Sequence, residues 1–438
     1  MNKATTIRQD LSMVDELFKN HRIEIQDIDE VDSQCFDILF VNAVDFRDIK
    51  RTSYKFNDML MMILLAKLCW TVSNFSEIAA WCKTHYRDLK RLKLIKGDRT
   101  PSHDTFRRFF MFFDFTSLVT NLMSCVETLC DKVLKYSPEY KRKYKMYSVD
   151  GKDFRGSGRK EGTKNPHGNY STLNIYELAT ECCLATVPLT SKDSEIPAFQ
   201  ELIPVLNLKN TIVTADALHC QRKTCSMILE KRGHYVFSVK ANQASLYQLL
   251  TDVFTGKMKY KNPVKSVKRE GRDFLIQQIT KGETDDSDFP KVKYFVQMIS
   301  KKHDKNNETI RYFISSVPDE TATIEAIENR WEIEGKYHYF KDQNLGEDDF
   351  TSDNTKTIKN MATLNGVVYT LSRIVSALTK KVVPAKYVQM WMSSDLAGAV
   401  FQVLKLLKGR RLTKLLKENF RKKGNIQLGE QDKEETKN

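Results

Sequence analysis

The chain has 438 residues, enough for about three domains or for one large domain with an insertion. Hydrophobic residues make up 41% of it, which supports a packed core and excludes wholesale disorder. The longest apolar run, 59–66, is far shorter than the ~20 residues that a membrane span needs. A formal net charge of +14 favours a polyanionic partner such as nucleic acid, although a solvated basic surface would give the same charge.

Cysteine usage and the distribution of charge narrow the class of protein further. No apolar signal core follows the first residues, and none of the nine scattered cysteines forms a Cys-x-x-Cys pair. We therefore expect reduced thiols, no zinc site and a cytoplasmic protein. Residues 131–170 carry 11 basic and 5 acidic side chains, and residues 401–430 carry 9 and 2. Basic blocks of this kind suit a footprint on a phosphate backbone.

The amino-terminal region is predicted to be helical. Apolar residues recur at helix spacing between 48 and 134, and a further helix is predicted at 106–113. We interpret residues 1–140 as a helical domain that either binds DNA or serves as a packing module.

The pattern changes near residue 144, where strands begin. The predicted order is strand, strand, strand, helix, strand, helix, strand, at 145–150, 172–179, 183–189, 197–206, 211–215, 221–231 and 235–240. This order combines a hairpin meander with crossover helices around one sheet and predicts an α/β fold. A glycine-rich loop, 156–162, follows the first strand.

The second half of the chain is predicted to contain an insertion and then helices. A β-rich insertion at about 242–320, with strands at 273–279, 294–299 and 310–315, interrupts a catalytic domain that we place at 141–350. Helices are predicted at 322–343 and 357–379. The carboxy-terminal region, 351–438, is interpreted as helical and basic, with a polar tail from 429 that is predicted to be disordered.

Two aspartates follow apolar strands. Asp150 comes after 146–149 and Asp216 comes after 212–215. An acid at the end of a buried strand lies at the rim of a sheet, where sites on α/β folds are built. Each aspartate by itself is also explained as a cap of the next turn.

A third carboxylate lies on the predicted helix at 330–341. At about 100° per residue, Arg330, Glu334, His338 and Lys341 fall on one narrow stripe. The alternative interpretation is a solvated face with an Arg–Glu pair at i, i+4. Three carboxylates at one rim can hold two Mg²⁺ ions, which prefer oxygen ligands and serve phosphoryl transfer in pairs. Cationic side chains beside them would hold DNA phosphates.

With these residues in view, the chain resembles insertion-sequence transposases of the DDE type, specifically the H-repeat-associated group. The resemblance runs from about residue 45 to 372. Its motifs include Val149-Asp150-Gly151-Lys152, Lys192-Asp193-Ser194-Glu195-Ile196-Pro197, Thr214-Ala215-Asp216-Ala217-Leu218-His219-Cys220-Gln221 and Trp331-x-Ile333-Glu334.

The resemblance implies an RNase H-like core, a mixed sheet flanked by helices, with Asp150, Asp216 and Glu334 as an acidic triad. With such a triad we expect two Mg²⁺ ions as cofactors, with Mn²⁺ as a substitute. Related transposases carry Tyr-x2-Arg-x3-Glu-x6-Lys on the glutamate helix. The chain keeps the arginine, glutamate and lysine of that spacing, but Ile327 stands at the tyrosine position and Gly335 where the group usually has asparagine.

Several cations are predicted to meet DNA. Lys152 and Arg155 follow the first aspartate and Lys240 ends the fifth predicted strand, while Arg330, His338 and Lys341 flank Glu334. For each, the alternative is a solvated cation.

Two further residues near the aspartates receive other interpretations. Glu195 is interpreted as a helix-start acid rather than a fourth metal ligand. Nucleophilic catalysis by Cys220 is disfavoured, because no third member of such a site is found.

The sequence hypothesis is a transposase that binds the terminal inverted repeats of its element, cleaves DNA with Mg²⁺ and joins the freed 3′-OH ends to target DNA. Its expected partners are double-stranded DNA and further copies of the chain, in a homodimer or larger synaptic complex, at the bacterial nucleoid and not at a membrane. The alternatives are a domesticated DNA-binding protein and a structure-specific nuclease of the same fold.

Overall fold

The protein is described by a computed structural model that covers residues 44–48, 50, 52–115, 143–158, 170–189, 194–258, 265–268, 275–281, 288–302, 305–352, 354–377, 385–394 and 396. The predicted tail from 429 and most of the glycine-rich loop at 156–162 lie outside these residues. Among the described helices, none is both long enough and apolar enough to cross a membrane.

The described part of the amino-terminal region contains four helices, α1 to α4, at Phe56–Cys69, Phe75–Thr84, Tyr86–Arg91 and His103–Phe112. Side chains cap two of them: Asn74 accepts a hydrogen bond from the Glu77 amide of α2 at 2.9 Å, and Ser102 begins α4 in the same way. Helix α1 carries apolar residues on all its faces and is almost wholly buried, as expected of a helix in the centre of a packed module. The helical prediction for this part of the chain is confirmed over the described residues.

The centre of the molecule is one nine-stranded sheet in the order β3-β2-β1-β4-β5-β9-β8-β7-β6. Strand β1 pairs with β2 in antiparallel and with β4 in parallel orientation, and β4 pairs with β5 in parallel. An antiparallel meander that continues into parallel strands is the arrangement of an RNase H-like core, so the predicted fold class is confirmed. The strands are Lys145–Phe154, Tyr170–Glu177, Cys182–Pro188, Thr211–Ala215, His234–Val239, Lys265–Lys268, Leu275–Lys281, Tyr294–Lys302 and Lys305–Ser315.

Two crossover helices connect the parallel part of the sheet, α5 (Glu195–Leu202) and α6 (Arg222–Glu230). Strands β6 to β9 then extend the sheet by antiparallel pairing, with β9 beside β5. A helix, α7 (Ala244–Phe254), precedes them, whereas only strands were predicted in this stretch. Its apolar residues Leu246, Leu250 and Val253 recur at helical spacing and are buried, so the periodic signal was present.

The single helix predicted at 322–343 is observed in three parts. These are α8 (Glu320–Asn329), a π-helical segment (Ile333–His338) that we call the π-turn, and α9 (Tyr339–Gln343). Helices α10 (Thr355–Ala377) and α11 (Ala385–Ser394) follow, and α10 packs on β3, α1 and α4. The wider turn matters for the site, because side chains beyond it no longer follow the 100° spacing of an α-helix.

A buried lysine joins the helical module to the segment after α9. Lys67 of α1 is 1% exposed, and its ammonium donates hydrogen bonds to the carbonyl oxygens of Val72 (2.6 Å) and Leu345 (2.9 Å). Burial lowers the pKa of Lys67 to about 7, although the nearby Glu347 and Glu77 carboxylates oppose this shift. The contact therefore includes a charge whose cost depends on pH.

We predict that the free energy of unfolding of the wild type increases relative to that of Lys67→Met as the pH rises from 7 to 9. The folded pKa of Lys67 lies below the ordinary lysine value of 10.5, so the unfolded chain binds more protons between those two values and the lysine's contribution to stability rises with pH across that window. Thermal unfolding at several pH values measures the difference. The control is Lys83→Met at an exposed lysine, and a difference for Lys67→Met that does not change with pH would contradict the prediction.

A second prediction concerns Gly366 on α10. A Cβ atom there would lie 2.6 Å from Thr186 Oγ1 and 3.1 Å from Tyr337 Oη, two atoms that are hydrogen-bonded to each other at 2.7 Å. Gly366→Ala should therefore destabilise the protein by about 1–3 kcal/mol through overpacking. Gly335→Ala is the matched control, because a Cβ at Gly335 meets no atom within 4 Å. Urea unfolding measures both; equal stability of the two variants would show that Gly366 is not closely packed.

Candidate active site

The two predicted aspartates lie side by side at one rim of the sheet. The parallel register of β1 with β4 ends at the pair Val149↔Ala215, and in each case the next residue of the chain is an aspartate. Asp216 follows the end of β4 and caps a short turn, where its Oδ1 accepts a hydrogen bond from the Leu218 amide at 3.0 Å. Neighbouring strands lie about 5 Å apart, so the two residues are close in space.

One detail of this prediction was wrong. Asp150 does not end its strand, because β1 continues to Phe154 while it pairs with β2, and Asp150 lies opposite Asn174. What ends at Asp150 is the pairing of β1 with β4. The rim is therefore an opening between two strands, and Asp150 lies at the point where they separate.

Glu334 reaches this rim from the π-turn. The Ser148 hydroxyl donates a hydrogen bond to the carbonyl oxygen of Arg330 at 2.9 Å, which docks the chain just before the π-turn onto β1. Glu334 itself is exposed, whereas Ile333 and Tyr337 on the same turn are fully buried. The turn therefore packs on the sheet and presents the carboxylate to solvent at the rim.

The carboxylates interact electrostatically. Burial and the Glu334 carboxylate raise the pKa of Asp150 to about 7, Arg330 opposes the shift, and Asp216 and Glu195 add to it. Oxygen donors that repel each other suit a hard divalent cation, which would relieve the repulsion. Within the described part of the chain, no three His, Cys, Asp or Glu side chains are arranged so that they could hold a metal ion. The carboxylate oxygens are thus the right kind of donor for such an ion, although the three side chains are not gathered into a ligand shell.

His338 lies against the first aspartate. Its Nδ1 is 3.6 Å from Asp150 Oδ2, its Nε2 is 3.4 Å from the Asn174 amide nitrogen, and the residue is 9% exposed. Burial, Lys341 and Lys152 lower the pKa of His338 well below its usual value, so the ring is neutral at pH 7. His338 is thus a neighbour of the aspartate rather than an exposed cation.

Lys152 and Lys341, which were predicted to contact DNA, are buried instead. Lys341 is 0% exposed and its ammonium lies 2.9 Å from Glu347 Oε1, while Lys152 Nζ lies 2.6 Å from Asp342 Oδ1 and 3.7 Å from the same Glu347 atom. The prediction of one stripe for Glu334 and Lys341 assumed α-helical spacing. The π-turn between these two residues changes that spacing, and the lysine side chain points to the interior. Neither ammonium is positioned for a phosphate.

The remaining predicted cations differ in exposure. The Arg155 side chain is 71% exposed, 3.8 Å from Asp348, and Lys240 is exposed just after β5. Arg330 is 8% exposed, with its guanidinium 4.3 Å from the centre of the Trp331 ring, and the Asp150 and Glu334 charges act on it. Arg155 and Lys240 are therefore the two of the six that face solvent.

The structure also contains polar residues to which no role was assigned from the sequence. Glu347 is 1% exposed, and besides its two lysines it accepts a hydrogen bond from the Asn365 amide at 2.8 Å. Asn174 lies opposite Asp150 in β2. The charged stretch after the helix was a sequence signal that could have drawn attention to Glu347. Asn174 is placed by strand register, for which the local sequence gives no signal.

The described cysteines offer no nucleophile. All six are unpaired and buried, namely Cys69, Cys82, Cys182, Cys183, Cys220 and Cys225. Burial raises the pKa of Cys220 beside Asp216 to about 12, so its reactive thiolate form is negligible at pH 7. This agrees with the choice of the carboxylates over Cys220.

Comparison with known proteins identifies the family. A family model described as "Transposase DDE domain" matches residues 141–371, and one described as "DDE_Tnp_1-associated" matches residues 39–125. "Putative protein YbfL" and "H repeat-associated putative transposase YhhI" of Escherichia coli (strain K12) are each 26% identical over 326 residues, 70% of this chain and 81% of each relative. A solved structure titled "Cryo-EM structure of piggyBac transposase synaptic complex with hairpin DNA" aligns with a TM-score of 0.40 and 13% identity, covering 97% of this chain and 87% of that chain.

The two family models and the two Escherichia coli relatives confirm the resemblance inferred from the motifs. The first family model spans more than half of the 438 residues. The chain belongs to the DDE transposase family, a family of enzymes that act on DNA and generally use a divalent metal.

Proposed function

We propose that this protein cleaves DNA at the terminal inverted repeats of a mobile element and joins the freed 3′-OH ends to target DNA, with Asp150, Asp216 and Glu334 as its catalytic carboxylates. The observation that carries the proposal is the meeting of β1, β4 and the π-turn at one rim in a chain of the DDE family. Because two DNA ends must be held together, a homodimer or larger synaptic complex is part of the proposal, as is a place at the nucleoid.

In the proposed reaction, Asp150, Asp216 and Glu334 would hold two Mg²⁺ ions, for which Mn²⁺ would be a substitute. Such ions, when bound, activate the attacking oxygen and stabilise the leaving oxygen of a phosphoryl transfer. The chain's own contribution is to orient the carboxylates. The Ser148–Arg330 hydrogen bond holds the start of the π-turn on β1, and His338 packs against Asp150. The guanidinium of Arg330 offsets part of the negative charge.

DNA would reach this rim across the exposed cations. Arg155 lies one residue beyond the strand that carries Asp150, and Lys240 follows β5, the neighbour of β4. Lys240 follows the carboxyl end of β5 beside the end of β4, and Arg155 lies five residues beyond Asp150 in the chain. Both are therefore suited to bind phosphates of DNA that reaches the carboxylates. Lys152 and Lys341 are not part of this proposed contact.

The first prediction from this proposal is that Glu334→Gln abolishes cleavage while it leaves binding to the element's ends nearly unchanged. The amide keeps the shape of the side chain and removes the charge that the cation requires. The matched control is Glu332→Gln, two residues away, because the Glu332 carboxylate is paired with Lys336 at 3.1 Å.

The measurement is cleavage of a DNA substrate carrying the inverted repeats that flank the gene, with Mg²⁺ or Mn²⁺ and with EDTA. Cleavage by Glu334→Gln at the wild-type rate would contradict the assignment of Glu334 to the catalytic triad. Cleavage without strand joining by the wild type would identify a nuclease, and binding without cleavage would identify a DNA-binding protein that no longer transposes.

A second prediction separates the exposed cations from the buried ones. Arg155→Ala and Lys240→Ala should each weaken DNA binding for all sequences and reduce the slope of log K against log salt by about 1, as the loss of one phosphate contact does. The control is Lys209→Ala, an exposed lysine that precedes β4 and therefore lies at the other end of that strand from the rim. Binding curves at several salt concentrations measure the slope; a change for Lys209→Ala equal to that for Arg155→Ala would contradict the prediction.

A further inference from the structure

Glu195 and His219 form a buried pair on the side of the sheet away from the π-turn. Glu195 is the first residue of α5, and its Oε1 lies 3.0 Å from Nε2 of His219. The two side chains are 10% and 1% exposed. The imidazole ring also packs edge-on against Phe199 of α5, with 5.3 Å between ring centres. The hydrogen bond is therefore shielded from water and the orientation of the ring is restrained.

Each partner touches a segment that carries an aspartate. The Glu195 carboxylate lies against Gly151, the residue after Asp150, and a Cβ atom added there would be 2.7 Å from Glu195 Oε2. His219 ends the turn that Asp216 begins. One side-chain hydrogen bond thus connects the residue after the first aspartate to the turn after the second.

The connection lies where the backbone offers none. The β1–β4 ladder stops at Val149↔Ala215, so no pairing of these two strands fixes the segments beyond it. Asn242 donates a hydrogen bond to the Ala217 carbonyl oxygen at 2.7 Å and holds the Asp216 turn from the β5 side. The Glu195–His219 pair holds that turn from the α5 side.

Glu195 does not face the same way as Asp150. Successive residues of a strand point to opposite faces of the sheet, and Glu195 contacts the face to which Gly151 points. Its Oε1 is already engaged by His219. The geometry is that of a residue that acts through Asp150 and Asp216 rather than one that binds the reacting groups.

We propose that Glu195 and His219 are positioning residues that set the separation of Asp150 and Asp216, and thereby the affinity of the site for a divalent cation. This inference rests on the proposed function of the site. Loss of hydrogen bonds that orient metal ligands typically costs 10–100-fold in metal affinity or activity. Glu195→Ala and His219→Ala should each cost about that much in Mn²⁺ affinity.

The hydrogen bond, and not the charge, is expected to matter. An amide oxygen accepts the same bond from the imidazole N–H, so Glu195→Gln should retain most of the affinity. Gly151→Ala should behave like Glu195→Ala, because the added methyl group displaces the carboxylate. Since these residues act as one unit, the double variants Glu195→Ala/His219→Ala and Gly151→Ala/Glu195→Ala should be no worse than the worse of their single variants.

The test uses the full chain and Mn²⁺ as the probe. Binding is read from the rise in unfolding temperature with Mn²⁺ concentration, and unfolding without metal is measured beside it to record purely structural losses. Cleavage of the DNA ends is a second readout. We expect weaker Mn²⁺ binding in the alanine variants and Gly151→Ala, near wild-type binding in Glu195→Gln, and full non-additivity in the double variants.

Three results would overturn the inference. These are unchanged Mn²⁺ affinity in Glu195→Ala and His219→Ala, additive losses in the double variants, and a loss in Glu195→Gln as large as that in Glu195→Ala. A wild type that neither binds Mn²⁺ nor cleaves DNA would overturn the proposed function and the inference together. A wild type that does both, beside unaffected variants, would overturn only the inference.

Discussion

The end of the β1–β4 ladder at Val149 and Ala215 is the constraint on which the candidate site depends. Up to that pair, parallel hydrogen bonding holds the two strands in register, and the next residue of each is an aspartate. Beyond it, β1 remains paired with β2, whereas the chain after β4 turns away from β1. This separation opens a rim with Asp150 on one side and Asp216 on the other. A shift of one residue in this register would send one aspartate to the opposite face of the sheet.

Charge is organised around this rim in two separate clusters. Asp150, Asp216 and Glu334 gather negative charge that Arg330 partly offsets, and burial adds to the cost of ionising Asp150. In the second cluster, the buried Glu347 carboxylate lies 3.7 Å from the ammonium of Lys152 and 2.9 Å from that of Lys341. Buried ion pairs add little net stability, because desolvation cancels much of their attraction. Their value here is geometric, since they tie the chain after the π-turn to β1.

Much of this arrangement was accessible from the sequence, and the parts that were not have identifiable causes. The strand–acid pattern predicted the two aspartates, and helical periodicity with the family motifs predicted Glu334. The π-turn could not be predicted, since residues 333–338 have ordinary helical periodicity, and the contacts of Tyr337 with Tyr369 and Thr186 arise only in the tertiary fold. The burial of Lys341 follows from that turn. The Glu195–His219 contact joins residues 24 positions apart through the tertiary fold alone.

The most direct test of the triad assignment is a crystal structure of the full-length protein grown with Mn²⁺, in which anomalous scattering locates the ion independently of any assumption about its ligands. The assignment predicts an anomalous peak at the rim, bound by carboxylate oxygens of Asp150 and Asp216, with Glu334 at the same centre or at a second ion beside it. An ion bound elsewhere, or a rim without an ion at saturating Mn²⁺, would contradict it.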